Sequence, residues 1–194
     1  MLVLASASPR RQEILRNAGI PFVVQAANIP ESPLENESPQ ACAQRLAREK
    51  VLAVAQQSPA DLILGADTIV VVDDLMLGKP TDTSDAMRML RLLSGRTHEV
   101  ITGVCLMRRG NSAPSGEFPV LSVRFEVTRV VMEKITDQEI RDYVATGEPM
   151  DKAGAYAIQG IASRWISRIE GDYFNVVGLP VSRVYRMLQE NQFV

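Results

Sequence analysis

The 194-residue sequence is poor in cysteine, histidine and aromatic side chains. It holds two cysteines and one histidine, and Phe, Trp and Tyr together make up 5% of the residues. One histidine and two widely spaced cysteines, Cys42 and Cys105, provide neither a zinc ligand set nor a redox pair. Lone cysteines in apolar surroundings suit a reducing compartment, so we expect a cytoplasmic protein.

The sequence also lacks an excess of basic charge and any long apolar run. Lys and Arg number 21 against 23 Asp and Glu, which gives a net charge of −2. Nucleic-acid binders usually carry a basic surface, and single-strand binders interleave it with aromatic residues, so we expect no nucleic-acid partner. No window approaches 18 uncharged apolar residues and no basic segment precedes an apolar one, so we expect no membrane partner and no signal peptide.

Apolar residues make up 46% of the chain, enough for a sizeable core, and we expect a single domain over residues 1–194. Apolar strand-like runs alternate with helix signals, which predicts an α/β fold. The predicted strands are LVLA, PFVVQAA, DLILGADTIVVV (interrupted at Gly65–Thr68), HEVITGVCLMR and LSVRFEVTRVV. The stretches 73–83 and 109–119 are predicted connections, and a hairpin is predicted around Glu170–Asp172.

Helix boundaries are marked by capping residues. Ser8 and Ser38 each precede a proline, a pairing typical of the N-cap and first position of a helix. Thr136 and Glu139 have the spacing of a capping box. Gly19 is placed to end the first helix.

The first candidate site is Ser6-Ala7-Ser8-Pro9-Arg10-Arg11. A strand that leads into a helix leaves backbone N–H groups free at the helix start, where the helix dipole favours anions. Two arginines in that first turn are unfavourable for the helix alone, so they indicate an external anion such as phosphate, which arginine binds with two hydrogen bonds. A plain N-cap followed by two solvated arginines is the alternative, and the pattern leaves both open.

Lys50 and Asp67 both lie in apolar surroundings. On a helical wheel, Lys50 falls at the centre of the apolar face, where a charge needs a partner; the alternative is an apolar stem whose ammonium reaches water. Asp67 is flanked by strongly apolar residues, which indicates pairing, metal binding or acid–base chemistry; the alternative is a turn that exposes it. Gly65 predicts a bulge or a close approach of another backbone.

Three further residues are weaker candidates. Lys79 lies in a Gly-Lys-Pro turn that is not a Walker A loop; it could contact phosphate or be a surface lysine. Lys152 opens a stretch of small residues, DKAGAYAIQG, in which Gln159 could read the edge of a base or serve as a buried structural amide. His98 has no Ser or Cys partner in a recognisable arrangement, so we expect it to be structural.

Seven sequence blocks, in this order, resemble the Maf family of nucleotide pyrophosphatases: LASASPRRQEIL, LAREKVLAVA, ILGADTIV, GKPTD, LLSGRTHEVITGV, DKAGAYAIQG and NVVGLP. The resemblance extends from Leu2 to about Leu188, and the DKAGAYAIQG block resembles the subfamily that acts on dTTP and UTP. It implies a housecleaning hydrolase that cleaves between the α and β phosphates to give a nucleoside monophosphate and pyrophosphate. An alternative is a nucleotide-binding regulator of cell division with incidental hydrolysis.

The resemblance also implies a fold and a set of site residues. The implied fold is inosine-triphosphatase-like, with a mixed curved sheet, flanking helices and two lobes around a cleft. Family members are often homodimers and need a divalent cation, so a homodimer and Mg²⁺ or Mn²⁺ are implied. Asp67 matches the catalytic carboxylate, and Glu31 and Asp67 match the metal-binding carboxylates. The implied substrate-binding residues are Ser6, Ser8, Arg10, Arg11, Lys50, Thr68, Lys79, Lys152 and Gln159, with specificity assigned to Arg10, Thr68 and Gln159.

Overall fold

The computed structural model describes residues 1–109 and 120–193. Of the predicted loop 109–119, all but Arg109 lies outside the described residues. The strands are β1 Leu2–Leu4, β2 Phe22–Val24, β3 Leu62–Val72, β4 Leu75–Leu77, β5 Thr97–Arg108, β6 Val120–Met132 and β7 Ile166–Glu170. The helices are α1 Pro9–Asn17, α2 Pro39–Ala55, α3 Thr83–Leu93, α4 Asp137–Ala145, α5 Tyr173–Val177 and α6 Val181–Glu190. Short 3₁₀ helices cover Glu148–Asp151, Ala153–Ala155 and Ile161–Trp165.

The strands form one mixed sheet. Its order within the described residues is β2-β1-β3-β5-β6-β7, and β4 pairs with β3. Strand β1 is parallel to both β2 and β3, whereas the β3–β4 and β6–β7 pairs are antiparallel. The predicted α/β class with a mixed sheet and flanking helices is therefore confirmed.

The chain divides into two compact units, each with its own apolar core. Unit 1 comprises Met1–Asp67, Thr102–Glu126 and Gly178–Val194, and unit 2 comprises Thr68–Ile101 and Val127–Val177. The core of unit 1 includes Val3, Ala47, Val51, Ile63 and Cys105. The core of unit 2 includes Leu90, Leu93, Val130, Tyr143 and Trp165. The single domain over residues 1–194 stays a prediction.

The predicted helix caps are present, with one difference. Ser38 Oγ accepts a hydrogen bond from the N–H of Ala41, and Thr136 and Glu139 form a complete capping box. Gly19 follows the end of α1 at a φ of +67°, a conformation that favours glycine. Ser8 precedes Pro9 as predicted, but its side chain makes no capping hydrogen bond.

Three predictions of secondary structure are wrong. Strand β3 runs through Gly65–Thr68 without interruption. The connection 73–83 contains β4, in which Leu77 pairs with Val70. No hairpin forms around Glu170–Asp172, because β7 pairs with β6 and is followed by α5. Across the described ranges, no helix has both the length and the apolar character needed to cross a membrane.

Candidate active site

Lys50 forms the centre of a charged cluster in unit 1. Only 6% of the residue is exposed, yet its ammonium lies 2.6 Å from Asp67 Oδ1 and 2.5 Å from Glu31 Oε1. Helix α2 supplies the lysine, β3 supplies Asp67, and the connection between β2 and α2 supplies Glu31. The side chain therefore ends at two carboxylates, and the alternative of a lysine head in water is wrong.

Two glycines explain how α2 comes close enough to β3 for this contact. A Cβ atom at Gly65 would collide with the carbonyl oxygen of Ala47 and the side chain of Val51. A Cβ atom at Gly103 would collide with the backbone of α2 at Ala43 and Gln44. Gly65 and Asp67 are two residues apart on one strand and so face the same side of the sheet. The predicted close approach at Gly65 is confirmed, and it brings the Lys50 turn of α2 to Asp67.

Asp67 lies within a continuous strand and not in a turn. The residue is 7% exposed, with buried apolar neighbours on both sides in β3. A buried carboxylate is costly unless it is paired, and Lys50 provides that pairing. The alternative of a solvent-exposed turn aspartate is therefore wrong.

Arg11 is held inside unit 1 by two hydrogen bonds. It is 8% exposed, its Nε donates to the carbonyl oxygen of Gly178 at 2.8 Å, and its Nη1 donates to Ser6 Oγ at 3.1 Å. The same hydroxyl oxygen accepts the backbone N–H of Ser8 at 3.2 Å. The alternative of a solvated arginine is wrong for Arg11, whereas Arg10 is half-buried in the first turn of α1.

The electrostatics of Arg11 tie it to the same carboxylates. Burial lowers the pKa of the Arg11 guanidinium, the nearby charges of Asp67 and Glu31 act to raise it, and Arg10 lowers it further. We refer to Ser6, Arg11, Glu31, Lys50 and Asp67 as the Lys50 cluster. Its two cations balance its two carboxylates, so an incoming polyanion competes with Asp67 and Glu31 for the cations.

The carboxylates of the Lys50 cluster are also the residues that could hold a metal ion. In the part of the chain that the structure describes, no three His, Cys, Asp or Glu side chains group together to hold one. Asp67 and Glu31 do present two carboxylate oxygens to one point, the Lys50 ammonium. Mg²⁺ and similar hard cations take one or two carboxylates and complete their shell with water and phosphate oxygens, so this pair fits such a cation together with a phosphate ligand.

Two predicted lysines lie in unit 2. Lys152 Nζ donates to the backbone oxygen of Glu148 at 2.6 Å and to Asp151 Oδ1 at 2.5 Å. Lys79 is exposed, and its neighbour Gly78 accepts a hydrogen bond from the N–H of Gly154 at 3.0 Å. That backbone bond joins the two lysine-bearing segments.

Glu148, which sequence reasoning missed, holds the segment that carries Gln159. Its Oε1 accepts hydrogen bonds from the Tyr143 hydroxyl at 2.9 Å and from the backbone N–H of Ile161 at 3.1 Å. A Cβ atom at Gly160 would collide with the same carboxylate. Gln159 itself is exposed, so the alternative of a buried structural amide is wrong.

His98 and Thr68 complete the predicted residues. His98 is 2% exposed, and its Nε2 lies 2.7 Å from the Tyr156 hydroxyl. Burial lowers its pKa to about 4, so it is neutral at neutral pH, which supports the expected structural role. Thr68 is half-buried on β3.

Comparison with known proteins finds relatives that align over nearly the full length of this chain. A protein of Koribacter versatilis named dTTP/UTP pyrophosphatase is 57% identical over 188 residues, 97% of this chain and 93% of the relative. Proteins of the same name from Geobacter sulfurreducens and a Geobacillus species are 50% and 49% identical. Each alignment covers 95% of the relative, with 97% and 95% of this chain respectively.

Among solved structures, this chain is similar to a nucleoside-triphosphatase, described as a dITP/XTP pyrophosphatase, from Mycobacterium abscessus. The TM-score is 0.37 at 15% identity, over 69% of this chain and 73% of the other. The family model described as Maf-like protein matches residues 1–191. Since that match spans nearly the whole chain and agrees with relatives of up to 57% identity, the chain belongs to the Maf family.

Proposed function

We propose that this protein is a nucleoside triphosphate pyrophosphatase that hydrolyses dTTP and UTP to the monophosphate and pyrophosphate. The observation that carries the proposal is the buried Lys50 ammonium held between Asp67 and Glu31, with Arg11 within electrostatic reach. The substrate choice is supported by relatives named dTTP/UTP pyrophosphatase at 49–57% identity. Modified pyrimidine triphosphates are included in the proposed substrate class.

The proposed reaction begins with a water molecule held by Asp67. The carboxylate accepts a hydrogen bond from the water and takes its proton as the water oxygen bonds to the α-phosphorus. The bond between the α-phosphorus and the bridging oxygen breaks, and pyrophosphate leaves with that electron pair. Asp67 suits this role because β3 and Lys50 fix its position and because only 7% of the residue is exposed.

The cations provide electrostatic stabilisation of the charge that develops on the phosphates. Arg11 and Lys50 are already held in place, so little reorganisation is needed when charge shifts to the leaving group. In the proposal, Ser6, Ser8, Arg10, Lys79 and Lys152 contact phosphate oxygens. Gln159 reads the pyrimidine edge, and Arg10 and Thr68 contribute to substrate choice.

A divalent cation, Mg²⁺ or Mn²⁺, forms part of the proposal. Asp67 and Glu31 would hold it, since theirs are the carboxylates that converge on one point in the Lys50 cluster. When bound, such an ion polarises phosphoryl oxygens and neutralises their charge. We expect a chelator to abolish pyrophosphate release and added Mg²⁺ or Mn²⁺ to restore it.

A cytoplasmic location and a homodimer are likewise proposals. The buried free thiols of Cys42 and Cys105 support a reducing compartment. Val23 and Val24 on the terminal strand β2 are 41% and 44% exposed, which supports association through an apolar surface. Light scattering on the purified full chain would measure the oligomeric state, and a monomer at all concentrations would contradict the homodimer.

The proposed activity is tested by measuring pyrophosphate release from canonical and modified nucleoside triphosphates with Mg²⁺ or Mn²⁺. Wild type and Asp67→Asn are compared with Asp61→Asn, a matched control at an exposed position just before β3. We expect dTTP and UTP to be cleaved by wild type and by Asp61→Asn. Asp67→Asn should lose about 10²- to 10⁴-fold in turnover, the usual contribution of a general base.

Two results would contradict the proposal. Full activity in Asp67→Asn would exclude Asp67 as the catalytic carboxylate. A wild type that binds a triphosphate but releases no pyrophosphate would favour the alternative of a nucleotide-binding regulator.

A further inference from the structure

The connection that carries Glu31 has little regular structure of its own. Between β2 and α2 the chain contains neither helix nor strand, and residues 31–36 are all exposed. Glu31 is nevertheless brought to within 2.5 Å of the buried Lys50 ammonium. A segment of this kind loses considerable conformational entropy when one of its side chains is fixed, so other contacts must hold it.

Arg45 of α2 provides those contacts. Its Nη2 donates to the carbonyl oxygen of Ser32 at 3.0 Å, the residue directly after Glu31. Its Nε and Nη2 donate to the two carboxylate oxygens of Glu37 at 2.7 and 2.8 Å. Glu37 Oε2 in turn accepts the backbone N–H of Leu34 at 3.1 Å. The guanidinium therefore binds both ends of the segment 32–37.

The Arg45–Glu37 pair is largely shielded from water, so it holds the segment 32–37 firmly on α2. The side chain of Arg45 is 21% exposed and that of Glu37 is 9% exposed. The hydrogen bonds from Arg45 hold the pKa of Glu37 at about 2, so its carboxylate stays ionised over the working pH range. Two-point guanidinium–carboxylate bonds of this kind are among the strongest and most directional in proteins.

Helix α2 thus holds two consecutive residues of the connection through two of its own side chains. Arg45 binds the backbone of Ser32, and Lys50, five residues further along α2, binds the carboxylate of Glu31. Neither Arg45 nor Glu37 is bonded to Asp67, so neither is placed in the catalytic machinery. Their contacts determine where the Glu31 carboxylate lies.

We infer that Arg45 and Glu37 are positioning residues that fix the segment 32–37 on α2 and thereby present the Glu31 carboxylate to Lys50 and Asp67. The inference rests on the proposed function for its kinetic consequence. Outer contacts that orient a site carboxylate typically contribute about 10- to 100-fold in activity or metal affinity. We expect a loss of that size in kcat/KM when the Arg45–Glu37 pair is broken.

The kinetic test is a double-mutant cycle in the full chain, with pyrophosphate release from dTTP as the assay. Arg45→Met and Glu31→Gln are measured singly and together. If Arg45 acts through Glu31, the double variant should be within about twofold of Glu31→Gln alone, because coupled residues are not additive. If the fold-losses in kcat/KM of the two single variants multiply in the double variant, Arg45 acts independently of Glu31, and the inference is overturned.

Glu49→Gln is the matched control. Glu49 also binds Arg45, at 3.2 Å, but it lies on α2 itself and outside the segment 32–37. We expect Glu49→Gln to keep at least half of the wild-type kcat/KM. Glu37→Gln, which is nearly isosteric, should behave like Arg45→Met and replaces it in the cycle if Arg45→Met does not fold.

Hydrogen exchange of the peptide spanning residues 31–37 separates this inference from the proposed function. The Leu34 N–H bonded to Glu37 should exchange at least tenfold faster in Arg45→Met than in wild type, and at the wild-type rate in Glu49→Gln. Unchanged exchange in Arg45→Met would overturn the inference. A wild type that cleaves no triphosphate would instead contradict the proposed function, and the exchange rates would still decide whether Arg45 and Glu37 hold the segment.

Discussion

The cationic side chains of the two compact units differ in the sequence distance to the groups they bind. In unit 1, Lys50 and Arg11 are buried and bind groups far away in the sequence, including Asp67 and the backbone of Gly178. In unit 2, the Lys152 ammonium binds Glu148 and Asp151, both within four residues of it, and Lys79 is exposed. Unit 1 therefore holds its buried cations through contacts between distant segments, whereas Lys152 of unit 2 is held by hydrogen bonds within its own segment.

The difference shows how each unit tolerates a buried titratable group. Unit 1 keeps Lys50 and Asp67 buried by pairing them, which offsets the cost of removing each charge from water. Unit 2 keeps His98 buried by leaving it uncharged beside Tyr156. Charge that is fixed in place before the substrate binds suits the stabilisation of a transition state.

The largest expected effect contrasts Lys50 with Lys152. Lys50→Met removes the ammonium that Asp67 and Glu31 both contact, and breaking a buried ion pair costs about 3–5 kcal/mol of unfolding free energy. Lys152→Met removes hydrogen bonds to an exposed carboxylate and a backbone oxygen, which should cost about 1 to 2 kcal/mol. Urea denaturation of both variants at one pH and ionic strength measures the difference, and equal losses would contradict it.

The next effect tests the uncharged state of His98. In the unfolded chain, His98 has its ordinary pKa of 6.5 and binds a proton below that pH. In the folded chain its pKa is about 4, so it stays neutral until the pH is lower. Stability contributed by neutral His98 is thus complete above pH 6.5 and declines by about 3 kcal/mol as the pH falls to 4. The difference in unfolding free energy between wild type and His98→Gln should change by that amount, and a constant difference would contradict the buried neutral histidine.

A smaller effect contrasts two glycines. An alanine at Gly65 would collide with the α2 backbone at Ala47, so Gly65→Ala should lose about 1–3 kcal/mol and also lower activity by separating Lys50 from Asp67. Gly78→Ala in unit 2 meets open space and should change stability by less than about 0.5 kcal/mol. Thermal unfolding and pyrophosphate release measure both, and a neutral Gly65→Ala would show that α2 is free to move away from β3.

The smallest expected effect concerns Glu148 of unit 2. Glu148→Ala removes the acceptor for the Ile161 N–H and the Tyr143 hydroxyl. The Ile161 amide lies at an exposed site and can bind water, but Tyr143 is buried and its hydroxyl loses this acceptor, so the loss should be about 1–2 kcal/mol. Glu133→Ala, at an exposed position, is the control and should change the unfolding free energy by less than about 0.5 kcal/mol. If Glu148→Ala loses as much unfolding free energy as Lys50→Met, the expected difference between the two units is contradicted.

Local signals predicted much of the secondary structure. The proline after Ser38, the Thr136–Glu139 capping box and Gly19 act over one helical turn, and all three are found where the sequence places them. Strand β4 was missed because three residues are too short for a recognisable pattern and because its pairing with β3 requires a tight turn. The hairpin near Glu170 was wrong because β7 finds its partner in β6, about 40 residues earlier.

The candidate site was only partly predictable from the residues. The apolar surroundings of Asp67 and Lys50 indicated that each needs a partner, the arginines at the start of α1 indicated an anion site, and the resemblance to the Maf family added Glu31. Nothing in the sequence pattern indicated that Asp67 and Lys50 are each other's partners. The roles of Arg45 and Glu148 had no local signal, because both act through backbone groups of other segments.

The sequence by itself determined the class of the fold, the helix starts and the identity of the charged residues, since these depend on periodicity, capping chemistry and residue type. Tertiary structure alone decided that Lys50 reaches Asp67. That contact requires α2 to approach β3 at Gly65 and β5 at Gly103, where any side chain would collide with the helix backbone. How closely a helix and a strand approach depends on the packing of both elements, so it cannot be predicted from the sequence of either element alone.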